Sequence, residues 1–190
     1  MRDSLLRVAL RNPKSLMISA IVFVSDATRR DISREREILV RSLIWLVSAV
    51  VAGTVRDVTL AGRSGLDLAE IADQCGCNIA EGAGEAERLG AAIASSKGSR
   101  LLILEAGFQP MDGIIGELDS VARSVALDAS VRLLATPATA WQRLFPDQAR
   151  TIGLFAPADR CRALGNASFE RLTTGLKPKA LFATRATPIV

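Results

Sequence analysis

Residues Arg100 to Pro110 read R-L-L-I-L-E-A-G-F-Q-P, and this stretch constrains the fold more than any other. Leu101 to Leu104 form a short continuous apolar run between the turn-like Ser95-Ser96-Lys97-Gly98-Ser99 and an abrupt stop at Glu105-Ala106-Gly107. A run without polar alternation suits a strand covered on both faces, as in a parallel sheet with helices on either side. Ligands of open α/β sheets sit beyond the carboxyl ends of the strands, which is where Glu105 and Gly107 fall.

The rest of the chain reads as layers around that strand. Residues 1–15 form a lead-in with Leu5, Leu6, Val8 and Leu10 as its apolar positions. Met17 to Val24 is a first strand, ending at Ser25-Asp26-Ala27-Thr28. The charged run Arg29 to Glu37 opens a helix whose apolar residues Leu39, Leu43, Leu46, Val47 and Val50 recur at helical spacing, with Gly53 as its stop. Val55 to Leu60 is a second strand, alternating enough to lie near an edge. After the small-residue turn Ala61 to Gly65, Asp67 and Glu70 form a capping pair for a helix towards Gln74. Cys77 to Ala80 is a brief strand, and Glu81-Gly82-Ala83-Gly84 a turn before a helix marked by Ala86, Leu89, Gly90 and Ile93. Ile114, Ile115, Leu118, Val121 and Val125 mark another helix, and Val131–Ala135 and Thr151–Phe155 are further strands. Alternating strand and helix predicts an α/β fold with a mostly parallel central sheet. The predicted division is a lead-in at 1–15, a domain at 16–160 and a basic segment at 161–190.

Composition excludes several chemistries. The chain of 190 residues has no His, which removes an imidazole base, a Ser-His or Cys-His pair and any His-containing zinc site. Three cysteines, Cys75, Cys77 and Cys161, are too few for a four-thiolate zinc site and read as reduced thiols of a cytoplasmic protein. With aromatics at 4% and no Tyr, a base-stacking platform is not expected, and no nucleic-acid partner is predicted. Leu43 to Val55 is the most apolar segment but too short to span a bilayer. Net charge is +4, and residues 141–190 hold eight Lys/Arg against three acids, so the tail carries +5 and the remainder −1. Such a tail is either a solvated basic face or a contact for phosphate, an acidic partner or a membrane surface.

Taken in order, these pieces resemble family-2 glycosyltransferases of the GT-A fold over roughly residues 17 to 160. Val22 to Thr28 falls where that family has a nucleotide-contacting loop. Arg56-Asp57-Val58-Thr59-Leu60-Ala61-Gly62 falls at its second strand and the turn that holds base and ribose. Glu85 to Ser99 matches the helix before its metal-binding strand, and Leu101 to Gly107 the strand ending in its D-x-D-like motif. The resemblance implies a GT-A-like three-layer sandwich that binds a nucleotide sugar and transfers the sugar to an acceptor, with Mn²⁺ or Mg²⁺ at the diphosphate. The loop Leu60-Ala61-Gly62-Arg63-Ser64-Gly65 is similar to one in GT-A-related nucleotidyltransferases, but there it follows the first strand, so this likeness is set aside.

The motif is eroded. Gly107 stands where the family has its metal-holding acid, leaving Glu105 as the one carboxylate and the one metal-ligand candidate. Arg63 stands where the second-strand turn would carry an acid. Phe169-Glu170-Arg171 is a faint echo of the acidic segment bearing the family's general base. The expected substrate-binding residues are Asp26, Ala61, Gly62, Arg63, Glu105 and Gly107. Each has a structural alternative: Asp26 as a turn-capping acid, Arg63 as a solvated cation in place of a phosphate ligand, Glu105 as a strand-terminating surface acid. Gly82 and Gly84 form a plain turn or an anion-receiving helix start. Trp141 and Phe145 at i, i+4 are a core or cover contact, or a stacking surface for a sugar ring. The second function class is accordingly a catalytically degenerate transferase-like module that binds a partner protein or, through the basic tail, a membrane surface.

Overall fold

The structure, a computed structural model, describes residues 17–26, 31–124, 129–178 and 180–189. The lead-in at 1–15, Thr28 and Val125 lie outside the described residues. The strands are β1 (Ile18–Phe23), β2 (Val55–Gly62), β3 (Asn78–Glu81), β4 (Arg100–Glu105), β5 (Phe108–Pro110), β6 (Val131–Ala135), β7 (Thr151–Pro157) and β8 (Ala180–Pro188). The helices are α1 (Ile32–Val51), α2 (Leu68–Cys75), α3 (Glu85–Ser95), α4 (Ile114–Ser124), α5 (Ala140–Leu144), α6 (Ala158–Ala163) and α7 (Phe169–Leu176).

Among the described residues, the eight strands join one sheet in the order β3-β2-β1-β4-β7-β6-β8-β5. β1, β2, β3 and β4 pair in parallel, β7 runs antiparallel to β4 and β6, β6 and β8 are parallel, and β5 is antiparallel to β8. The sheet is therefore mixed and mostly parallel, with helices on both faces.

The sequence explains the three layers. In β1, Ile18, Ala20 and Val22 join one core cluster while Ile21 and Phe23 join another, and β4 divides in the same way between Leu102/Leu104 and Leu101/Ile103. Successive side chains of a strand point to opposite faces, so a wholly apolar strand needs cover on both. On one face α1, α2 and α4 supply Leu39, Leu43, Leu46, Ile71, Ile114 and Leu118; on the other α3, α6 and α7 supply Leu89, Ile93, Cys161 and Leu172. Every residue of β4 is buried, including the charged Arg100 and Glu105 at its two ends.

Local expectations meet two corrections. Val47 and Val50 of α1 are exposed, since the buried stripe runs through Leu39, Leu43, Leu46 and Ala49 and the two valines lie beside it. Asp67 precedes α2 in a left-handed conformation and makes no side-chain cap. Its carboxylate and that of Glu70 instead bind Arg36 of α1, at 3.1 and 2.5 Å.

Residues 161–190, predicted as a basic segment, supply α7 and β8, and β8 lies inside the sheet between β6 and β5. Glu117 of α4 holds β8 by accepting the backbone N–H groups of Ala183 and Thr184. These bonds fall where β8 shifts its register against β6, between its pairings at Leu181 and Arg185. Among the described residues, no helix is long and apolar enough to cross a membrane.

Candidate functional site

The direction of β7 builds the site. Leu104 pairs with Gly153 across the β4–β7 ladder, so the residue just before β7 is brought level with the end of β4. That residue is Arg150, whose Nη2 donates to Glu105 Oε1 at 2.6 Å. The Glu105 side chain is 3% exposed and that of Arg150 46%. The guanidinium carbon also lies 5.7 Å from the centroid of the Phe108 ring. Burial pushes the Glu105 carboxyl above its ordinary range; the Arg150 charge pulls it down, and the Glu85 carboxylate adds to the rise. Glu105 is thus a buried acid held by an arginine, not a surface acid ending a strand.

Two cavities flank this pair beyond the carboxyl ends of β1 and β4. The smaller, about 70 Å³, includes Ser25, Glu35, Gly107, Phe108 and Pro188 in its wall. The larger, about 360 Å³, includes Phe23, Glu85, Ser168, Phe169, Glu170 and Thr173. Ser25, Glu105 and Arg150 line both. The larger one falls within the range of about 300–1,000 Å³ usual for small-molecule sites. β8 contributes to the smaller through Pro188, because Phe108 pairs with Pro188 and Gly107 O accepts from Ile189 N at 2.8 Å.

Gly107 shows why the motif lacks its second acid. Its φ is +98°, a backbone conformation that L side chains rarely adopt. A Cβ there would also stand 3.3 Å from Ile38 Cγ2, and its N–H donates to Ser42 Oγ at 2.9 Å. The tight turn from β4 into β5 occupies the position where a carboxylate would have to be carried.

Asp26 lies in a clamp. Its Oδ1 accepts from Arg88 Nη2 at 2.6 Å, and its Oδ2 accepts from the Glu85 N–H at 3.0 Å. Arg88, 2% exposed, also donates to Val24 O and Gly82 O, tying the loop after β1 to the turn before α3. Glu85 completes the joint: its Oε2 accepts from Asp26 N–H at 3.3 Å and its Oε1 from Phe169 N–H at 2.9 Å. The start of α3 therefore receives the chain's own carboxylates, with Ala83 N–H donating to Glu87 at 2.9 Å beside Gly82 and Gly84.

Ala61 and Gly62 are buried at the end of β2. Ala61 pairs with Phe23 and Ala80, and its carbonyl accepts from Val24 N–H at 3.0 Å. A Cβ on Gly62 would stand 3.0 Å from Leu68 Cδ1. Arg63 turns to α1, where its Nε donates to the buried Glu35 at 2.9 Å. Glu105 and Gly107 thus meet at one cavity wall, Asp26 joins them through Glu85, Arg63 connects through Glu35, and Ala61 and Gly62 line neither cavity. Trp141 and Phe145 contact each other at a centroid distance of 4.4 Å but are exposed, so they are not core.

Sequence reasoning did not single out Ser25, Glu35, Glu85, Arg150, Ser168 or Thr173 as site residues. Ser25 lies in the loop after β1 that the resemblance covers; no local pattern marks the others, which strand order and helix placement bring together. Glu170, the faint echo of an acidic segment, does line the larger cavity.

The residues do not fit a divalent cation at Glu105. One of its oxygens is taken by Arg150, Gly107 brings no carboxylate, and among the described residues no group of three or more Cys, Asp or Glu is placed to hold a metal.

No family model matches the sequence, and no curated protein is significantly similar to it. Solved structures do match its shape. Glucosyl-3-phosphoglycerate synthase from Mycobacterium tuberculosis, in complex with Mn²⁺, UDP-glucose and phosphoglyceric acid, superposes with a TM-score of 0.59 at 16% identity, covering 87% of this chain and 68% of that one. 4-Diphosphocytidyl-2C-methyl-D-erythritol synthase from Anaerococcus prevotii gives 0.59 at 9% identity over 92% of this chain and 90% of that one. A glucose-1-phosphate thymidylyltransferase from Bacillus anthracis gives 0.57 at 10% identity over 90% and 89%. By these similarities, together with its layers and sheet, the chain has the GT-A-like nucleotide-diphospho-sugar transferase fold.

Proposed function

We propose that this protein binds a nucleotide sugar in the cleft beyond β1 and β4 and acts as a cytoplasmic glycosyltransferase. The observation that carries the reading is the pair of cavities meeting over Glu105 and Arg150 at the carboxyl edge of the parallel strands. The larger cavity suits a sugar: Ser25, Ser168, Thr173, Glu85 and Glu170 offer oxygen acceptors for hydroxyl groups, and Phe169 offers an apolar face. In transfer, the bond between the anomeric carbon and the diphosphate oxygen breaks, the acceptor oxygen bonds to that carbon, and the acceptor's proton passes to a base. Glu170 is the residue we assign as that base; among the described residues its carboxylate has no hydrogen-bond partner. Supporting the reading is the fold shared with glucosyl-3-phosphoglycerate synthase, solved with UDP-glucose.

The test is a thermal-shift screen of nucleoside diphosphates and nucleotide sugars. A donor at about 100 times its Kd adds roughly 2.7 kcal/mol of stability, a plain rise in melting midpoint. No shift with any donor overturns the reading. Donor hydrolysis that Glu170→Gln leaves unchanged removes Glu170 from the mechanism.

A second reading, a non-catalytic module that binds a protein or a membrane surface, is favoured by a separate observation. Asp26 and Arg63 are already bonded to Arg88, Glu85 and Glu35. This reading expects neither sugar transfer nor donor hydrolysis, and a salt-sensitive attachment through residues 141–190.

A further inference from the structure

A diphosphate entering this cleft needs positive charge, and the walls are rich in acids. Glu35, Glu85, Glu105 and Glu170 all line one cavity or both. Three of them have partners: Glu35 has Arg63, Glu105 has Arg150, and Glu85 has two backbone N–H groups. Among the described residues, Arg150 is the only cationic side chain in the lining of either cavity, and it lies in both. A guanidinium has five N–H donors in a planar fork matched to phosphate oxygens. Glu105 engages one nitrogen of that fork, and the Phe108 ring lies against the guanidinium.

Burial of Glu105 gives this pairing its meaning. A carboxylate removed from water is costly unless a cation meets it, so Glu105 fixes where the Arg150 head must stand. The arginine itself remains about half exposed, with further donors for a second acceptor. A buried acid behind a half-exposed arginine is an arrangement for presenting a guanidinium to an anion. Glu105 then acts on the ligand through Arg150, as a positioning residue. Gly107, committed to a positive φ, leaves no second acid to recruit a metal to the same spot.

We propose that Arg150, held by Glu105, receives the diphosphate of the nucleotide sugar in place of a divalent metal, so that donor binding is metal-independent. The assignment rests on the nucleotide-sugar reading above. The phosphates sit at the junction of the two cavities beside Ser25 and Arg150, and the sugar extends into the larger one towards Glu85 and Glu170.

Isothermal titration of the full chain with UDP, GDP, CDP and ADP, each in EDTA and in Mn²⁺, tests it. The diphosphate that binds is expected to do so in EDTA with a Kd within about twofold of that in Mn²⁺. Losing charge-assisted bonds in Arg150→Gln weakens it about tenfold or more. Arg150→Lys keeps a cation beside Glu105 and so protects the fold, yet it loses the fork and weakens binding as well. Urea denaturation of each variant separates lost binding from lost folding. Binding that appears only with Mn²⁺ overturns the assignment and leaves the nucleotide-sugar reading standing. Wild-type affinity in folded Arg150→Lys and Arg150→Gln does the same. Failure of all four diphosphates in both conditions overturns the nucleotide-sugar reading, and the role of Arg150 with it.

Discussion

Arg150 and Glu105 stand 45 residues apart in sequence and 2.6 Å apart at the floor of the cleft. One is half exposed and the other buried. Removing the arginine strands a carboxylate in the interior. Arg150→Ala is therefore expected to cost about 2–3 kcal/mol, below the roughly 3–5 kcal/mol of a fully buried pair because Arg150 meets solvent. The double variant Glu105→Gln/Arg150→Ala should recover most of the loss. Urea titration of the two single variants and the double measures the coupling, and additive losses would contradict it.

Two carboxyls give opposite pH signatures. Glu105 has a raised folded-state pKa, from burial against the opposing pull of Arg150. Its contribution to stability is full below the unfolded value near about 4.3 and is lost as pH rises through the folded one. For Glu117, burial raises the pKa, but hydrogen bonds from Thr184 and Ala183 outweigh it and the net shift is downward. Its contribution is full above the unfolded value and is lost as pH falls through the folded one. Across pH 2–7, Glu105→Gln should remove a fall in stability on the alkaline side of about pH 4.3, and Glu117→Gln a fall on the acid side. Denaturation midpoints at each pH distinguish the two slopes.

Restoring the missing acid should fail structurally. Gly107→Asp places a side chain at φ +98° and a Cβ against Ile38. The expected loss is about 1–2 kcal/mol from the backbone alone. Denaturation gives the cost, and Mn²⁺ titration should show no gain of metal affinity, since Arg150 still occupies Glu105.

The buried Arg88 ties the loop after β1, through Val24 O and Asp26, to the turn before α3, through Gly82 O. Arg88→Met should cost about 3 kcal/mol. Arg88→Lys should rescue little, because one ammonium does not reproduce the planar fork. Hydrogen exchange would locate the effect: the Glu85 amide, which donates to Asp26, should lose protection ahead of the amides of β4.

The three thiols should separate by reactivity. Cys75 is exposed, whereas burial pushes Cys161 up to about 12 and the half-buried Cys77 to about 11. At pH 8, iodoacetamide should modify Cys75 readily and Cys161 only after unfolding. Mass spectrometry of timed digests reads the order directly.

The sequence by itself determined the layers of this protein and the edge where its cleft would lie. The continuous apolar runs of β1 and β4 demand cover on both faces, and period-3.6 stripes such as Leu39, Leu43 and Leu46 supply it. These are local properties, legible because strand and helix periods are written into neighbouring residues. Glu105 at a strand end and Gly107 at a turn were legible for the same reason. Only the tertiary structure decided what the site residues touch. Thr151 to Phe155 reads as a buried strand in either direction; once β7 runs antiparallel to β4, Arg150 lands on Glu105. The same holds for Asp26 with Arg88, 62 residues away, and for Arg63 with Glu35. It also holds for β8, whose place between β6 and β5 draws Pro188 to the cleft. A charged side chain meets its partner according to strand order and direction, and neither leaves a periodic trace in the chain.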